Sequence, residues 1–255
     1  MAGRFSGKVA IVTGSTQGIG LAIAKRLGRD GANVIVSSRK AQNVEDAVAA
    51  LQKEGIAALG TVCHVAKPAD RKNLIQKAID KYGRLDILVN NAGINPHFGS
   101  LLEVDEKVWD KLFDTNVKAG FLLTKEAVPY IEKQGGGSVI FVSSITGYTP
   151  FLGINAYGVT KTALLGLTKA LATTLAEKRI RVNCIAPGII KTDFSKALWD
   201  SPSDSQENML KSMIPLGRVG EPDDCSGTVA FLCSDDASYI TGETVTITGG
   251  INARL

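Results

Sequence analysis

The fold is decided by the stretch Lys8-Val-Ala-Ile-Val-Thr13-Gly14-Ser-Thr-Gln-Gly18-Ile-Gly20. Its first part is a short, continuous apolar run, which is typical of a strand buried on both faces of a parallel sheet. Glycines follow, and the chain then enters an amphipathic helix through Leu21, Ile23, Ala24 and Leu27. In this context the backbone can approach a pyrophosphate, and the helix N-terminus offers N–H groups. The stretch therefore predicts a dinucleotide-binding turn of spacing Gly-x-x-x-Gly-x-Gly; a glycine-rich turn without a ligand is the alternative.

The second predicted strand runs from Asn33 to Ser38 and ends where an acidic side chain would hold the adenosine ribose of NAD. No acid stands there. The sequence reads Ser37-Ser38-Arg39-Lys40, which offers hydroxyls and a guanidinium to a 2′-phosphate. We therefore predict NADP(H) as the cofactor; a solvated charge pair at a strand end is the alternative.

Strands and helices alternate along the rest of the chain. Further strand-like runs lie at 57–62, 85–89, 138–142, 180–185 and 243–248. Helical patterns lie around 44–54, 69–82, 106–133, from about 155 and near 222–233. This alternation predicts an α/β, doubly wound parallel sheet with right-handed crossovers. No linker-like break divides the sequence, so we expect residues 1–255 to form a single domain.

Composition excludes several classes of protein. With 255 residues, 26.9 kDa and 44% hydrophobic residues, the chain can bury a substantial core. The net charge of +4 comes from bases scattered among acids, so we predict no nucleic-acid surface. No apolar run is long enough to span a membrane, and no secretory signal precedes the first strand. The cysteines form no Cys-x-x-Cys pair, so we predict no metal site and reduced, buried thiols at Cys63, Cys184, Cys225 and Cys233.

Candidate catalytic residues lie between Ser144 and Lys161. Ser144 follows the apolar run 138–142 and is expected just past the carboxyl end of a strand. Tyr157 and Lys161 lie one turn apart on the next helix and are neighbours on its surface. A free phenol has a pKa near ~10, and an ammonium beside it favours the phenolate. The three groups can converge on one carbonyl or alcohol oxygen; a solvated helix face is the alternative.

Six motifs occur together and in order: Thr13-Gly-x-x-x-Gly-x-Gly20, Asn90-Asn-Ala-Gly93, Asn116, Ser144, Tyr157-x-x-x-Lys161 and Pro187-Gly188. On these the chain resembles the short-chain dehydrogenase/reductase family over nearly its whole length. The resemblance implies a Rossmann-like domain with a seven-stranded parallel sheet, and a homotetramer. It also implies that Tyr157 is the catalytic acid/base, that Lys161 lowers its pKa and binds the nicotinamide ribose, and that Ser144 polarises the substrate oxygen. Asn116 would hold a water that links Lys161 to solvent.

The cofactor-binding residues follow from the glycine turn, the end of the second strand and the resemblance. They are Gly14, Thr16, Gly18, Ile19, Gly20, Ser38, Arg39, Lys40, Val65, Asn91, Gly93, Tyr157, Lys161, Pro187, Gly188, Ile190 and Thr192.

A finer resemblance is to the NADP-dependent carbonyl/retinal reductase branch of peroxisomes. The stretches that carry it are Val36-Ser-Ser-Arg-Lys40, Gly60-Thr-Val-Cys-His-Val65, Asn95-Pro-His-Phe-Gly-Ser100, Lys161-Thr-Ala-Leu-Leu-Gly-Leu-Thr-Lys169 and Ala237-Ser-Tyr-Ile-Thr-Gly-Glu-Thr244. Two departures stand out. His64-Val65 replaces the family's Asp after the third strand, and the helix reads Tyr-Gly-Val-Thr-Lys instead of the commoner Tyr-x-Ala-Ser-Lys.

The predicted function is NADPH-dependent reduction of ketones and aldehydes, reversible to alcohol oxidation, on a small apolar carbonyl, dicarbonyl, quinone, retinal or ketosteroid substrate. One alternative is a 3-oxoacyl thioester reductase, since Lys111, Lys118 and Lys125 recur every seven residues and would suit an acidic acyl carrier. Another is an NADP(H)-binding regulatory or scaffold protein, because fold does not fix function.

Two segments near the end of the chain carry further expectations. An apolar substrate lid is predicted over about 190–214, with Phe194, Leu198, Trp199, Met209 and Met213 around a polar stretch. The tripeptide Ala253-Arg254-Leu255 has the small–basic–leucine form of a peroxisomal address, so an import receptor is an expected partner. A cytoplasmic location is the alternative.

Overall fold

The computed structural model describes residues 3–196 and 211–251. Seven strands form one parallel sheet in the order β3-β2-β1-β4-β5-β6-β7. Their bounds are β1 Val9–Val12, β2 Asn33–Ser38, β3 Ala58–Val62, β4 Ile87–Asn90, β5 Gly137–Val142, β6 Ile180–Pro187 and β7 Thr244–Ile247. The predicted doubly wound, seven-stranded α/β fold is confirmed.

The first strand lies at the centre of this order. Its last residue, Val12, stands opposite Val36 of β2 on one side and Val89 of β4 on the other. All four residues of β1 are buried, as are all four of β4, which explains why both read as uninterrupted apolar runs. The strand order reverses between β1 and β4, so a crevice opens outside the carboxyl ends of these two strands.

Helices cover both faces of the sheet. Their bounds are α1 Gly18–Arg29, α2 Ala41–Lys53, α3 Pro68–Tyr82, α4 Glu106–Phe113, α5 Ala119–Glu132, α6 Asn155–Leu175 and α7 Pro222–Cys233. One apolar cluster joins α1, α2 and α7 to one face, for example through Leu27, Leu51 and Val229. A second cluster joins α3, α5 and α6 to the other face, for example through Leu74 and Leu123.

The helical region predicted over 106–133 is not one regular helix. A π-helical segment, Asp114–Lys118, separates α4 from α5. Thr115 and Asn116 are buried within it. Such wide turns are uncommon and tend to occur at functional sites. Here the wide turn lets the Asn116 side chain face inward, toward the residues that follow β4.

Several predictions concern what the fold does not contain. No helix among the described residues is long and apolar enough to cross a membrane. Within residues 3–196 and 211–251, no group of histidine, cysteine and acidic side chains is arranged to hold a metal ion. The four cysteines are free and buried. Of the predicted lid, 197–210 lies outside the described residues, and so does the tripeptide Ala253–Leu255.

Candidate active site

A groove of about 540 Å³ runs across the carboxyl ends of the strands. Every residue predicted to bind the cofactor lines it, and so do Ser144, Tyr157 and Lys161. Asn116 is the exception among the predicted site residues, because it lines a small neighbouring cavity behind the groove wall. No acidic side chain among the described residues lines the groove, whereas Arg39, Lys40, Lys111 and Lys161 do. The groove therefore suits an anionic ligand.

The glycine turn leaves no room for side chains at two of its positions, Gly14 and Gly18. Gly14 and Gly18 have φ angles of 59° and 55°, which favour glycine. A Cβ on Gly14 would stand 3.0 Å from the Cα of Ala92, and one on Gly18 would stand 3.0 Å from Cγ2 of Thr192. The N-cap residue of α1, Gln17, makes no side-chain hydrogen bond to the first turn. The floor of the groove thus fits a pyrophosphate at a helix N-terminus.

Asn91 has a structural task that the sequence does not reveal. Its Nδ2 donates to the carbonyls of Thr13 and Gly14, at 2.9 Å each. Its own N–H donates to Oγ1 of Thr13 at 3.0 Å. Both amide protons of Asn91 are thus engaged in holding the glycine turn against the end of β4. We infer that this residue shapes the cofactor groove through the turn, although it also lines the groove.

One end of the groove lies beyond β2. Ser38, the last residue of β2, stands opposite Val62 of β3. The next two residues, Arg39 and Lys40, are exposed, and neither forms an ion pair with any described residue. Two unpaired cations at the end of β2 fit the 2′-phosphate predicted there.

The loop after β3 forms the adjoining wall. The N–H of His64 donates to Oδ2 of Asp70 at 2.8 Å, and the guanidinium of Arg71 donates to the carbonyl of Val65 at 2.9 Å. Arg71 is buried and pairs with Glu126 of α5 at 3.0 Å. These bonds fix the backbone of His64 and Val65 at the wall of the groove; the predicted backbone contact of this segment to a cofactor stays a prediction.

The other end of the groove holds Ser144, Tyr157 and Lys161. Ser144 Oγ accepts the N–H of Thr146 at 3.2 Å, which leaves its own proton to donate. Tyr157 and Lys161 are 7% and 3% exposed, and Nζ of Lys161 lies 5.3 Å from the centre of the Tyr157 ring. The ring of Phe194 packs on Tyr157 with centres 5.7 Å apart. The predicted trio therefore lies together, with Tyr157 and Lys161 buried and Ser144 half-buried.

The pKa of Tyr157 is shifted in the direction opposite to the one predicted. Burial raises the pKa of the phenol, and the nearby Ser144 side chain only partly opposes this. Burial also lowers the pKa of Lys161 to about 8. Burial is the main cause of both pKa shifts, and the hydrogen bond that Nζ of Lys161 donates goes to the carbonyl of Val142, at 2.8 Å. With the protein's groups alone, Tyr157 is a neutral phenol near pH 7.

Asn116 is held by three hydrogen bonds behind the groove. Its Oδ1 accepts the N–H of Ile94 at 2.8 Å, while Nδ2 donates to the carbonyl of Ile94 and to Oγ1 of Thr160, both at 3.0 Å. A Cβ on Gly93 would stand 3.5 Å from this Oδ1 and 3.4 Å from Nζ of Lys161. The position that a Gly93 side chain would take is therefore in van der Waals contact with both the Asn116 amide and the Lys161 amine. The predicted relay through Asn116 stays a prediction.

Two glycines set the distance between helix α6 and the Ser144 turn, which is the 3-10 turn Ile145–Gly147 that follows Ser144. A Cβ on Gly158 would stand 3.0 Å from the carbonyl oxygen of Thr146. A Cβ on Gly147 would stand 3.0 Å from the carbonyl carbon and oxygen of Lys161. The turn therefore lies directly on the helix, and this contact brings Ser144 to the tyrosine.

Several groove residues were not predicted as site residues from the sequence. They are chiefly the residues after the Asn90–Gly93 motif and those around Ser144, such as Asn95, Phe98, Ser143, Thr146 and Phe151. The only sign of their location in the sequence is that they lie close to the Asn90–Gly93 motif or to Ser144. Of the three lysines that recur every seven residues, Lys111 also lines the groove, whereas Lys118 pairs with Asp114 at 2.9 Å.

Comparisons with known proteins identify the family and relatives that this chain resembles. The sequence model of the family described as Enoyl-(Acyl carrier protein) reductase matches residues 14–252. The chain is 58% identical to Dehydrogenase/reductase SDR family member 4 of Oryctolagus cuniculus, over 97% of this chain and 95% of that protein. It is also 58% identical to the Homo sapiens protein of that name, over 97% and 88% of the two chains. The protein of that name from Caenorhabditis elegans is 54% identical, over 99% and 98%.

A solved structure shares the fold. It is a crystal structure of a candidate short-chain alcohol dehydrogenase from Sinorhizobium meliloti 1021. The TM-score is 0.91 at 36% sequence identity, and the match covers 98% of each chain.

Proposed function

The chain belongs to the short-chain dehydrogenase/reductase family, and from this premise we propose that it is an NADPH-dependent reductase of ketones and aldehydes. It is an oxidoreductase by this membership, and the family typically binds a nicotinamide cofactor. The observation that carries the finer proposal is the arrangement of the groove. It joins unpaired cations at the end of β2 to a buried Tyr–Lys pair beside Ser144.

The choice of NADP(H) over NAD(H) rests on charge. Arg39 and Lys40 lie where the adenosine ribose of a bound dinucleotide is expected, and no described acid lines the groove. A guanidinium pairs with a phosphate through charge-assisted hydrogen bonds, which an unmodified ribose hydroxyl cannot match. The glycine turn, Pro187, Gly188 and Thr192 would hold the remainder of the cofactor.

The catalytic residues act on protons and charge. The groove would hold a nicotinamide cofactor, which when bound would supply the hydride for the carbonyl carbon of the substrate. Tyr157, neutral near pH 7 because burial raises its pKa, donates its proton to the carbonyl oxygen. Ser144 donates a hydrogen bond to the same oxygen. The ammonium of Lys161 stabilises the negative charge that then develops on the phenol oxygen.

This charge state favours reduction near neutral pH. A protonated phenol is the form that delivers a proton, whereas alcohol oxidation needs the phenolate. Because burial raises the pKa of Tyr157, the phenolate becomes populated only at high pH. We therefore propose that carbonyl reduction is the efficient direction near pH 7, and that oxidation gains at alkaline pH.

The substrate end of the groove is apolar and aromatic. Phe98, Phe151, Ile154 and Phe194 line it, and Phe194 packs on the catalytic tyrosine. Aryl ketones, quinones, retinal and ketosteroids all suit such a surface. The deciding experiment is a panel of these carbonyls assayed by NADPH oxidation. The absence of turnover on every member, in a protein that binds NADPH, would instead favour a regulatory or scaffold role.

A 3-oxoacyl thioester reductase is the second candidate. The name of the matching family model refers to an acyl carrier protein, and Lys111 stands where α4 borders the groove. The same panel should therefore include a 3-oxoacyl thioester with and without an acyl carrier. A higher kcat/KM for the carrier-bound thioester than for any simple ketone would favour this candidate.

Assembly and location are further parts of the proposal. We propose a homotetramer by analogy with the family, which a mass measurement by light scattering tests. A peroxisomal location rests on Ala253-Arg254-Leu255. The test is a fluorescent domain fused at the N-terminus, compared with a form lacking the tripeptide. Diffuse fluorescence from both forms would exclude the address.

A further inference from the structure

Two consecutive residues at the end of β5 hold Lys161 at two points. The carbonyl of Val142 accepts a hydrogen bond from Nζ of Lys161 at 2.8 Å. The hydroxyl of Ser143 donates to the main-chain carbonyl of Lys161, also at 2.8 Å. Ser143 and Lys161 are each 3% exposed. Because Val142 and Ser143 are covalent neighbours, the distance between these two points is fixed by backbone geometry.

The contact around Ser143 is tight on its other side as well. A Cβ on Gly147 would stand 3.0 Å from Oγ of Ser143 and 3.0 Å from the carbonyl oxygen of Lys161. The hydroxyl of Thr162 in α6 donates to the carbonyl of Gly147 at 2.9 Å, and this bond holds the Ser144 turn against the helix. The Ser143 hydroxyl therefore lies at the junction of strand β5, the Ser144 turn and helix α6, with little room to move.

We propose that Ser143 is a positioning residue, whose hydroxyl fixes the main chain of Lys161 so that the ammonium stays on the Val142 carbonyl beside Tyr157. This inference rests on the proposed function, in which Lys161 stabilises charge on Tyr157. Without the hydrogen bond from Ser143, Lys161 keeps its place in helix α6. Its main chain is then no longer held at a fixed distance from β5, so its amine is no longer directed at the Val142 carbonyl.

The alternative is that Ser143 merely satisfies a buried carbonyl. The same strand offers a matched control for that role. Ser138 is also buried, at 1% exposed, and its hydroxyl donates to the carbonyl of Leu232 at 3.5 Å, away from the groove. Removing either hydroxyl deletes one bond from a buried serine to a main-chain carbonyl, the longer one at Ser138 within β5 and the shorter one at Ser143 directly after β5. Only Ser143 bonds to Lys161.

The experiment compares Ser143→Ala and Ser138→Ala with the unmodified enzyme. Steady-state rates with NADPH and a turned-over ketone give kcat, and fluorescence titration gives the Kd for NADPH. A third readout does not need turnover: NMR of protein labelled with ¹³Cε-lysine follows the titration of Lys161, assigned with Lys161→Met. The charged or titratable groups that face Lys161 are Tyr157 and Cys184.

We expect Ser143→Ala to lower kcat by roughly 10-fold or more, since displacing a catalytic group by about 1 Å has effects up to ~10²-fold. The titration midpoint of Lys161 should fall, because the protonated amine loses a well-aligned acceptor. Ser138→Ala should change neither quantity. Ser143→Cys, which keeps a donor that is larger and weaker than the hydroxyl, should be intermediate and serves if Ser143→Ala does not fold.

Equal kinetics and equal Lys161 titrations in the Ser143 and Ser138 variants would overturn the positioning role. Failure of the proposed function is a different result, since the unmodified enzyme would then reduce no carbonyl. In that case the Lys161 titration still decides whether Ser143 fixes the amine.

Discussion

A Cβ on Gly158 would lie 3.0 Å from the carbonyl oxygen of Thr146, so the helix that carries Tyr157 rests directly on the turn that follows Ser144. Gly158 is buried and comes directly after Tyr157. The distance between the serine hydroxyl and the phenol therefore depends on a residue with no side chain. This relationship explains why a glycine follows Tyr157.

Gly158→Ala should destabilise the protein by roughly 1–3 kcal/mol, because the added methyl meets backbone that cannot move freely. It should also lower kcat, since the turn must shift away from Tyr157. The control is Gly166→Ala on the same helix, where a Cβ meets nothing within 4 Å. There we expect a gain of about 0.5–1 kcal/mol. Chemical denaturation measures both, and equal effects of the two alanines would contradict the prediction.

Tyr157→Phe should retain NADPH binding and lower kcat by roughly 10²–10⁴-fold, because the ring remains and the transferable proton is lost. Kd from fluorescence and kcat from NADPH oxidation measure the two quantities. Tyr239→Phe is the control, since Tyr239 is fully exposed and outside the groove. Near-normal turnover of the Tyr157 variant would remove this residue from the reaction.

Arg39→Ala should reduce the preference for NADPH over NADH by about one to two decades, as expected for the loss of a charge-assisted pair of roughly 1.5–3 kcal/mol. Combination with Ser38→Asp, which restores an acid for the ribose, should invert the preference. The ratio of kcat/KM for the two cofactors is the measurement. Lys40→Ala, at the neighbouring cation, tests whether the guanidinium is specific. Equal kcat/KM for both cofactors in the unmodified enzyme would refute the assignment.

Reduction should lose efficiency as the pH rises through about 8. Burial lowers the pKa of Lys161 to about 8, so its ammonium is present below that pH and lost above it. Tyr157 remains a phenol across this range because burial raises its pKa. The alkaline fall in kcat/KM therefore reports on the lysine and not on the tyrosine. A profile that stays flat to about pH 9.5 would show that the lysine charge is not needed.

Lys161→Ala should weaken NADPH binding and lower kcat together, because the same ammonium is proposed to bind the nicotinamide ribose and to stabilise charge on Tyr157. Fluorescence titration and steady-state kinetics separate the two effects. A variant with a reduced kcat and an unchanged Kd would remove the ribose contact from the proposal.

The sequence alone predicts those parts of the fold that depend on residues close together in the chain. Strands such as β1 and β4 are buried on both faces, so their apolar runs and the turns that follow identify them without tertiary information. The positions of Tyr157 and Lys161 one helical turn apart are also local. The same holds for the glycine turn, where the spacing of the glycines alone indicates that the backbone can closely approach a ligand.

Other features depend on segments that are distant in sequence. The direction of the Lys161 amine is set by Val142, and the amide of Asn91 is used by the glycine turn. The raised pKa of Tyr157 comes from burial by several segments, which a pattern of two residues does not reveal. These distances arise only when β5, α6 and β4 are packed together.

The π-helical segment Asp114–Lys118 also has a consequence for the spacing of residues along α4 and α5. A wide turn accommodates one residue more than an α-helical turn, without rotating the helix that follows it. A chain with one residue fewer between 114 and 118 would therefore keep α4 and α5 as one regular helix, with the same apolar side toward the core. What it would lack is the inward place now occupied by Asn116. One wide turn therefore gives a packing helix an inward polar side chain, which bonds to Ile94 and to Thr160 on the helix that carries Lys161.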